Sequence, residues 1–121
     1  MDNYLATFKL EVDEQYENEE QCGGEIIFTN LNNPDIIMAS SQVSYDHFKR
    51  NEIENILNVL HQGIGKASVD SDFGNGGYFI NLNDNIMEFC SCHFGTGNTF
   101  KVITNNSLIT VFEKILQFKQ N

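Results

Sequence analysis

Two segments of the chain repeat apolar residues with the period of an amphipathic helix, and each follows stretches in which apolar and polar residues alternate. The first helix is predicted from a cap at Ser44 to about Gln62, with Gly63 ending it. The second is predicted from a cap at Asn105, Asn106 or Ser107. The apolar stripes are Tyr45, Phe48, Ile53, Ile56, Leu57 and Leu60 in the first helix, and Leu108, Val111, Phe112, Ile115 and Phe118 in the second.

The alternating stretches predict β-strands on both sides of the first helix. Before it, strands are predicted at residues 4–12, 24–30 and 35–45; after it, at residues 66–69, 78–82, 86–94 and 100–104. The order is therefore ββ(β)α followed by ββ(β)α. We expect one α+β domain over residues 1–121, with an antiparallel sheet of five to seven strands and two helices packed on one face of that sheet.

The charge of the chain is concentrated in residues 11–25, here called the acidic segment, which contain seven carboxylates and no cation. Residues 1–35 hold nine acidic residues and one basic residue, whereas residues 36–121 hold eight and six, so most of the net charge of −10 arises early in the chain. Because the first two strands are predicted to pair, this segment is expected at the tip of a hairpin. Its carboxylates belong to Glu11, Asp13, Glu14, Glu17, Glu19, Glu20 and Glu25.

Acidic residues at alternate positions of an extended strand project from one face, at steps of about 6.6–6.8 Å. Such a row of carboxylates resembles a phosphate backbone in spacing and charge, and it attracts basic proteins while repelling nucleic acid. We therefore predict a basic protein as partner, bound by Glu11, Asp13, Glu14, Glu17, Glu19 and Glu20. The competing interpretation is that the charge keeps an exposed hairpin tip solvated and discourages edge-to-edge pairing.

The sequence contains no motif that indicates catalysis or a metal site. Residues 70–76 begin like a calcium loop, but Asn81 stands where a bidentate glutamate is required. Cys90 and Cys92 share one face of a predicted strand, yet Cys22 is the one further thiol in the chain, and zinc sites need four ligands. We expect small buried cysteines, no metal, no cofactor and a protein that is not an enzyme.

Two alternative functions remain open. A small anionic ligand such as a nucleotide would bind between Lys49 and Arg50, early in the first helix, and a glycine-rich loop containing Gly74, Gly76 and Gly77. A structural or assembly module, including a homodimer, would instead use a free sheet edge or exposed apolar side chains.

The element order, with helices at YDHFKRNEIENILNVL and SLITVFEKILQF between strands, resembles small acidic bacterial immunity proteins of polymorphic-toxin systems. Phage-encoded anti-defence inhibitors are similar in character. The resemblance implies an inhibitor of a basic toxin or defence effector, with no direct contact to nucleic acid. We also expect a cytoplasmic protein that does not bind membranes, since residues 1–13 lack the features of a signal peptide and no apolar run reaches the roughly 18 residues of a membrane span.

Overall fold

A computed structural model describes residues 3–11, 23–44, 49–72, 76–93 and 96–118, and these residues form seven strands and two helices. The first half consists of β1 (Tyr4–Glu11), β2 (Gly23–Asn30), β3 (Asn33–Ser44) and α1 (Arg50–Gln62). The second half consists of β4 (Lys66–Asp72), β5 (Gly76–Asn83), β6 (Ile86–His93), β7 (Thr96–Ile103) and α2 (Asn106–Phe118). The predicted α+β class is confirmed.

The strands form two antiparallel sheets, so the prediction of one sheet of five to seven strands is wrong. Sheet A has the order β1-β2-β3, and sheet B has the order β4-β5-β6-β7. The two helices contact each other, and in addition α1 contacts β4 of sheet B and α2 contacts β1 of sheet A. The alternating pattern predicts which side chains of a strand are buried, but it does not determine which strands share hydrogen bonds.

The inner faces of the two sheets meet at a group of aromatic rings. The Phe28 ring of β2 lies 5.2 Å from the rings of Phe89 and Phe100, which belong to β6 and β7. The Phe89 and Phe100 rings are stacked, with centroids 5.0 Å apart. Because Phe28 and Phe89 are almost completely buried, these contacts make a single apolar core that spans both sheets.

Helix α1 buries the predicted apolar stripe but begins later than expected. Ile53, Ile56, Leu57 and Leu60 are buried, and Gly63 ends the helix with a φ of 74°. Ser44 is not the cap, because it is the last residue of β3 and pairs with Gly23 of β2. Lys49 holds the N-cap position instead, without a side-chain cap bond, and Tyr45 and Phe48 lie outside the described residues.

The start of α2 is bonded to the outer edge of β1. Asn105 accepts a hydrogen bond from the backbone N–H of Ser107 at 3.0 Å, which makes it the cap of the helix. Its side-chain amide donates to the carbonyl of Tyr4 at 3.1 Å, and the N–H of Ala6 donates to the Ser107 hydroxyl at 2.9 Å. These bonds pair backbone groups of β1 that face away from β2, so this edge of sheet A is covered.

Candidate interaction surfaces

The acidic segment is anchored at both ends by the pairing of β1 with β2. Glu11 pairs with Gly23, and Gly23 also pairs with Ser44 of β3. The two ends of the chain between Glu11 and Gly23 are therefore held about 5 Å apart. The antiparallel pairing of β1 with β2 agrees with the predicted hairpin, and it places Glu11 and Gly23 at one end of sheet A.

The remaining predicted partner-binding residues, Asp13, Glu14, Glu17, Glu19 and Glu20, lie outside the described residues. At the base of the hairpin, Lys9 lies directly opposite Glu25, so this cross-strand pair carries charges of opposite sign. The other six carboxylates of the acidic segment lie beyond this pair in the sequence, between Glu11 and Glu20.

The glycines of the predicted anion site do not all belong to a loop. Gly76 and Gly77 are the first residues of β5, where they pair with His93 and Cys92, and do not form a loop, while Gly74 lies outside the described residues. The Arg50 guanidinium donates to the Glu54 carboxylate at 2.9 Å, and both side chains are close to half exposed. Lys49 is exposed beside it.

A cleft of about 510 Å³ adjoins Arg50, and its other lining residues come from α2. They are Glu113, Leu116 and Gln117. The carboxylate of Glu113 lowers the positive potential that Arg50 would otherwise provide, so the cleft is mixed in charge and does not favour an anion.

A second and larger groove, of about 690 Å³, crosses the outer face of sheet B. Lys101 and Glu88 lie on this face with their charged atoms 3.7 Å apart. The rest of the lining is mixed, with neutral polar residues such as Ser68 and Asn81, apolar residues such as Ile86, and two further charged residues, Lys66 and Asp84. No sequence pattern predicts this groove, because the register of four strands brings these residues together.

Cys90 lies on the outer face of sheet B and not in the core, so the expectation that this cysteine is buried is wrong. Cys90 is half-buried, and the hydroxyl of Thr99 on the neighbouring strand donates to its sulfur at 3.5 Å. Within the described ranges, no group of three or more His, Cys, Asp or Glu side chains is placed to hold a metal ion.

Five apolar side chains near the turn between β2 and β3 are exposed, and they are here called the apolar patch. They are Leu5, Leu31, Ile36, Ile37 and Met38. The N–H of Leu31 donates to the carbonyl of Asn3 at 3.3 Å, which holds this turn beside the start of β1 and hence beside Leu5. The patch and the Glu11–Gly23 pair therefore lie at opposite ends of sheet A.

No family model matches the chain, and no match was found among curated proteins or solved structures. Neither of the two helices in the described part of the chain is long and apolar enough to cross a bilayer. The surfaces described above are therefore the basis for any functional argument.

One sequence signal could have predicted the apolar patch. Ile36, Ile37 and Met38 are consecutive, and successive residues of a strand point to opposite faces of the sheet. At least one of the three must therefore face away from the core. The groove on sheet B has no comparable signal, since its residues come from four strands.

Proposed function

We propose that the chain is a non-catalytic inhibitor that binds a basic protein through its acidic segment. The observation that supports this proposal is the pairing of Glu11 with Gly23, which ties both ends of the segment to one end of sheet A. Five further carboxylates lie between Glu11 and Gly23 in the sequence, and in this proposal they act together as one negative surface. A compact surface of one sign steers oppositely charged proteins to it and increases their association rate.

The natural target is a protein that handles nucleic acid. Such proteins bind phosphates with grooves of lysine and arginine side chains, and a row of carboxylates occupies the same groove in competition with the substrate. Binding there would block the enzyme without any chemistry by the inhibitor. The mode of action is that of an immunity or anti-defence protein, directed at a toxin or defence effector.

The proposal is tested with a panel of basic bacterial ribonucleases and deoxyribonucleases. We expect the wild-type chain to bind and inhibit at least one of them. We expect affinity to fall at least tenfold between about 50 mM and about 500 mM salt, because screening shortens the Debye length. The variant Glu17→Lys/Glu19→Lys/Glu20→Lys is expected to lose both binding and inhibition. Calorimetry and nuclease assays provide the two readouts.

A matched control separates the acidic segment from net charge alone. Asp35→Lys/Glu54→Lys/Glu113→Lys makes the same change in charge at three exposed sites outside the segment. We expect it to retain most of the inhibition. If both variants lose binding equally, the net charge of the chain and not the acidic segment is responsible. If binding is insensitive to salt and unchanged in both variants, the proposal is contradicted.

The small-anion alternative has weaker support. Arg50 is already bonded to Glu54, and Glu113 lines the same cleft. A ligand anion would have to compete with both carboxylates. Thermal stabilisation by a panel of nucleotides that is lost in Arg50→Ala would nevertheless favour this alternative over the inhibitor.

A further inference from the structure

The apolar patch is exposed to a degree that is unusual for side chains of its size. Ile37 is 66% exposed, Leu31 is 57% exposed and Ile36 is 49% exposed. Single exposed apolar residues are common on protein surfaces, but contiguous ones mark interaction sites. The patch therefore requires a physical explanation.

The pairing of β2 with β3 produces the exposure. Phe28 is opposite Ala39 and Thr29 is opposite Ile37, so Met38 is an extra residue in β3. This bulge turns Ile37 to the outer face of sheet A. There it shares a row with Thr29 and with Leu5, which pairs with Thr29 from the other side. The row crosses all three strands of sheet A.

Among the described residues, the edge of sheet A next to the patch pairs with no further strand. Sheet A has edges at β1 and β3. The β1 edge is covered by Asn105 and Ser107 at the start of α2. β3 forms the opposite edge, and residues 36–38 of the patch belong to it. A partner that covers the patch therefore meets β3 and not the edge closed by α2.

The charge around the patch selects the kind of partner. Asp35 is the one charged residue between positions 27 and 44, although the chain as a whole carries −10. A basic protein would gain almost nothing electrostatically by binding here. Another acidic protein would meet almost no electrostatic repulsion here if its own contact surface were also uncharged. A second copy of this chain provides such a surface.

We infer that the apolar patch is the interface of a homodimer, in which two copies meet about a two-fold axis with their β3 strands antiparallel. An interface of this kind is self-complementary and needs no charged pairs. The acidic segment is anchored beside Ser44, about 23 Å along β3 from Ile37. In the dimer the two anchors are roughly 45 Å apart, many times the Debye length of about 8 Å.

This arrangement places the two Glu11–Gly23 pairs at the outer ends of the dimer. Electrostatic repulsion between these two ends is screened at that distance. The inference depends on the described residues of sheet A alone, and it stands whether or not the acidic segment binds a basic partner.

The test is the mass of the purified full chain by sedimentation equilibrium. We expect the mass to rise from 13.8 kDa towards twice that value between about 1 μM and about 1 mM. Ile37→Asp is expected to weaken the dimer at least about tenfold, because a carboxylate would be buried without a partner. Leu31→Lys, at the turn, should have a similar effect and provides a second variant should Ile37→Asp unfold.

Ile64→Asp is the matched control. Ile64 is 66% exposed, as Ile37 is, but it lies in the connection between α1 and β4. We expect this variant to dimerise like the wild type, and raising the salt concentration should not weaken the dimer. The inference is overturned if the wild-type chain stays monomeric at about 1 mM. It is also overturned if the dimer persists in both Ile37→Asp and Leu31→Lys, or if Ile64→Asp weakens the dimer as much as they do.

Discussion

At the scale of single residues, Gly24 shows how a close approach of neighbouring strands excludes a side chain. It lies in β2, is buried, and pairs with Leu10 of β1. A Cβ atom built at this position would be 2.4 Å from Cζ of Phe8 and 2.8 Å from the carbonyl oxygen of Lys9. The absence of a side chain therefore allows the Phe8 ring to cover the strand.

We predict that Gly24→Ala lowers the free energy of unfolding by about 2 kcal/mol, because both the ring and the strand backbone must shift. Urea denaturation measures the change. In a double-mutant cycle with Phe8→Leu, part of the loss should disappear, because one of the two clashes is removed. Equal losses in both backgrounds would show that the Phe8 ring is not the constraint.

The sequence predicted a strand beginning at Gly24, and β2 begins one residue earlier. It could not predict why glycine is required. The requirement depends on Phe8, which lies 16 positions away and meets Gly24 only through the register of two strands. Local patterns therefore identify the strand, whereas the role of this residue depends on its neighbour across the sheet.

At the scale of elements, the contact between α2 and β1 joins parts of the chain that are far apart in sequence. Asn105 caps the helix and bonds the carbonyl of Tyr4, while Ser107 accepts from the N–H of Ala6. The two side chains thus provide hydrogen-bond partners for backbone groups of both the helix and the strand. Their contribution to the free energy of unfolding should exceed that of an ordinary surface hydroxyl.

We predict that Asn105→Ala and Ser107→Ala each lower the free energy of unfolding by about 1–2 kcal/mol, through loss of the cap and of partners for the β1 backbone. Thr110→Ala is the control, because the exposed Thr110 hydroxyl donates to the backbone carbonyl of Asn106, within the same helix. Thermal or urea unfolding compares the three variants. If Thr110→Ala lowers the free energy of unfolding by as much, the hydrogen bonds to β1 have no special role in stability.

Sequence patterns predicted the elements better than their boundaries. The stripe of α1 and its end at Gly63 are confirmed, because periodicity and glycine chemistry are local. The start at Ser44 was wrong because pairing with β2 extends β3 through that residue. A serine that suits a helix cap also fits a strand when a neighbouring strand offers hydrogen bonds.

At the scale of the whole molecule, Tyr4 connects the two sheets through its hydroxyl, while its ring packs against the neighbouring strand of sheet A. The ring lies 5.4 Å from that of Phe28, and the hydroxyl donates to the carbonyl of Ile103 in β7 at 2.6 Å. Only 1% of the residue is exposed. Burial raises the pKa of the Tyr4 hydroxyl, because the charged form would lose its hydration.

This raised pKa predicts a loss of stability in alkali. Below pH 10 the hydroxyl is protonated in both the folded and unfolded chain, so the contribution of Tyr4 is complete. Above that pH the unfolded chain releases the proton first, and unfolding becomes easier by up to about 1.4 kcal/mol per pH unit. The advantage of the wild type over Tyr4→Phe should therefore shrink between about pH 9 and about pH 11.

Urea denaturation of both proteins across this range measures that difference. Comparing the two proteins cancels the effects of the other tyrosines, the lysines and the thiols. A constant advantage of the wild type from about pH 9 to about pH 11 would contradict the prediction.

The overall architecture was predicted only in part. Alternation and helical periodicity are sufficient for the α+β class, but the division into two sheets depends on which strands pair. The acidic segment is apparent from composition, and its role as a binding surface remains a prediction. The three consecutive apolar residues of the patch require at least one to face outward, but the outward position of Ile37 depends on a bulge that the register of β2 and β3 creates.

The bonds that link β1 to the start of α2 also bear on how the protein is made. The groups joined by the two edge bonds are 101 positions apart in the chain. During synthesis the outward-facing N–H of Ala6 and carbonyl of Tyr4 therefore stay hydrated until residues 105–107 have left the ribosome, about a hundred residues after β1 itself. The pairing of β1 with β2 needs no such delay, so the edge bonds with α2 are a late step in the completion of sheet A.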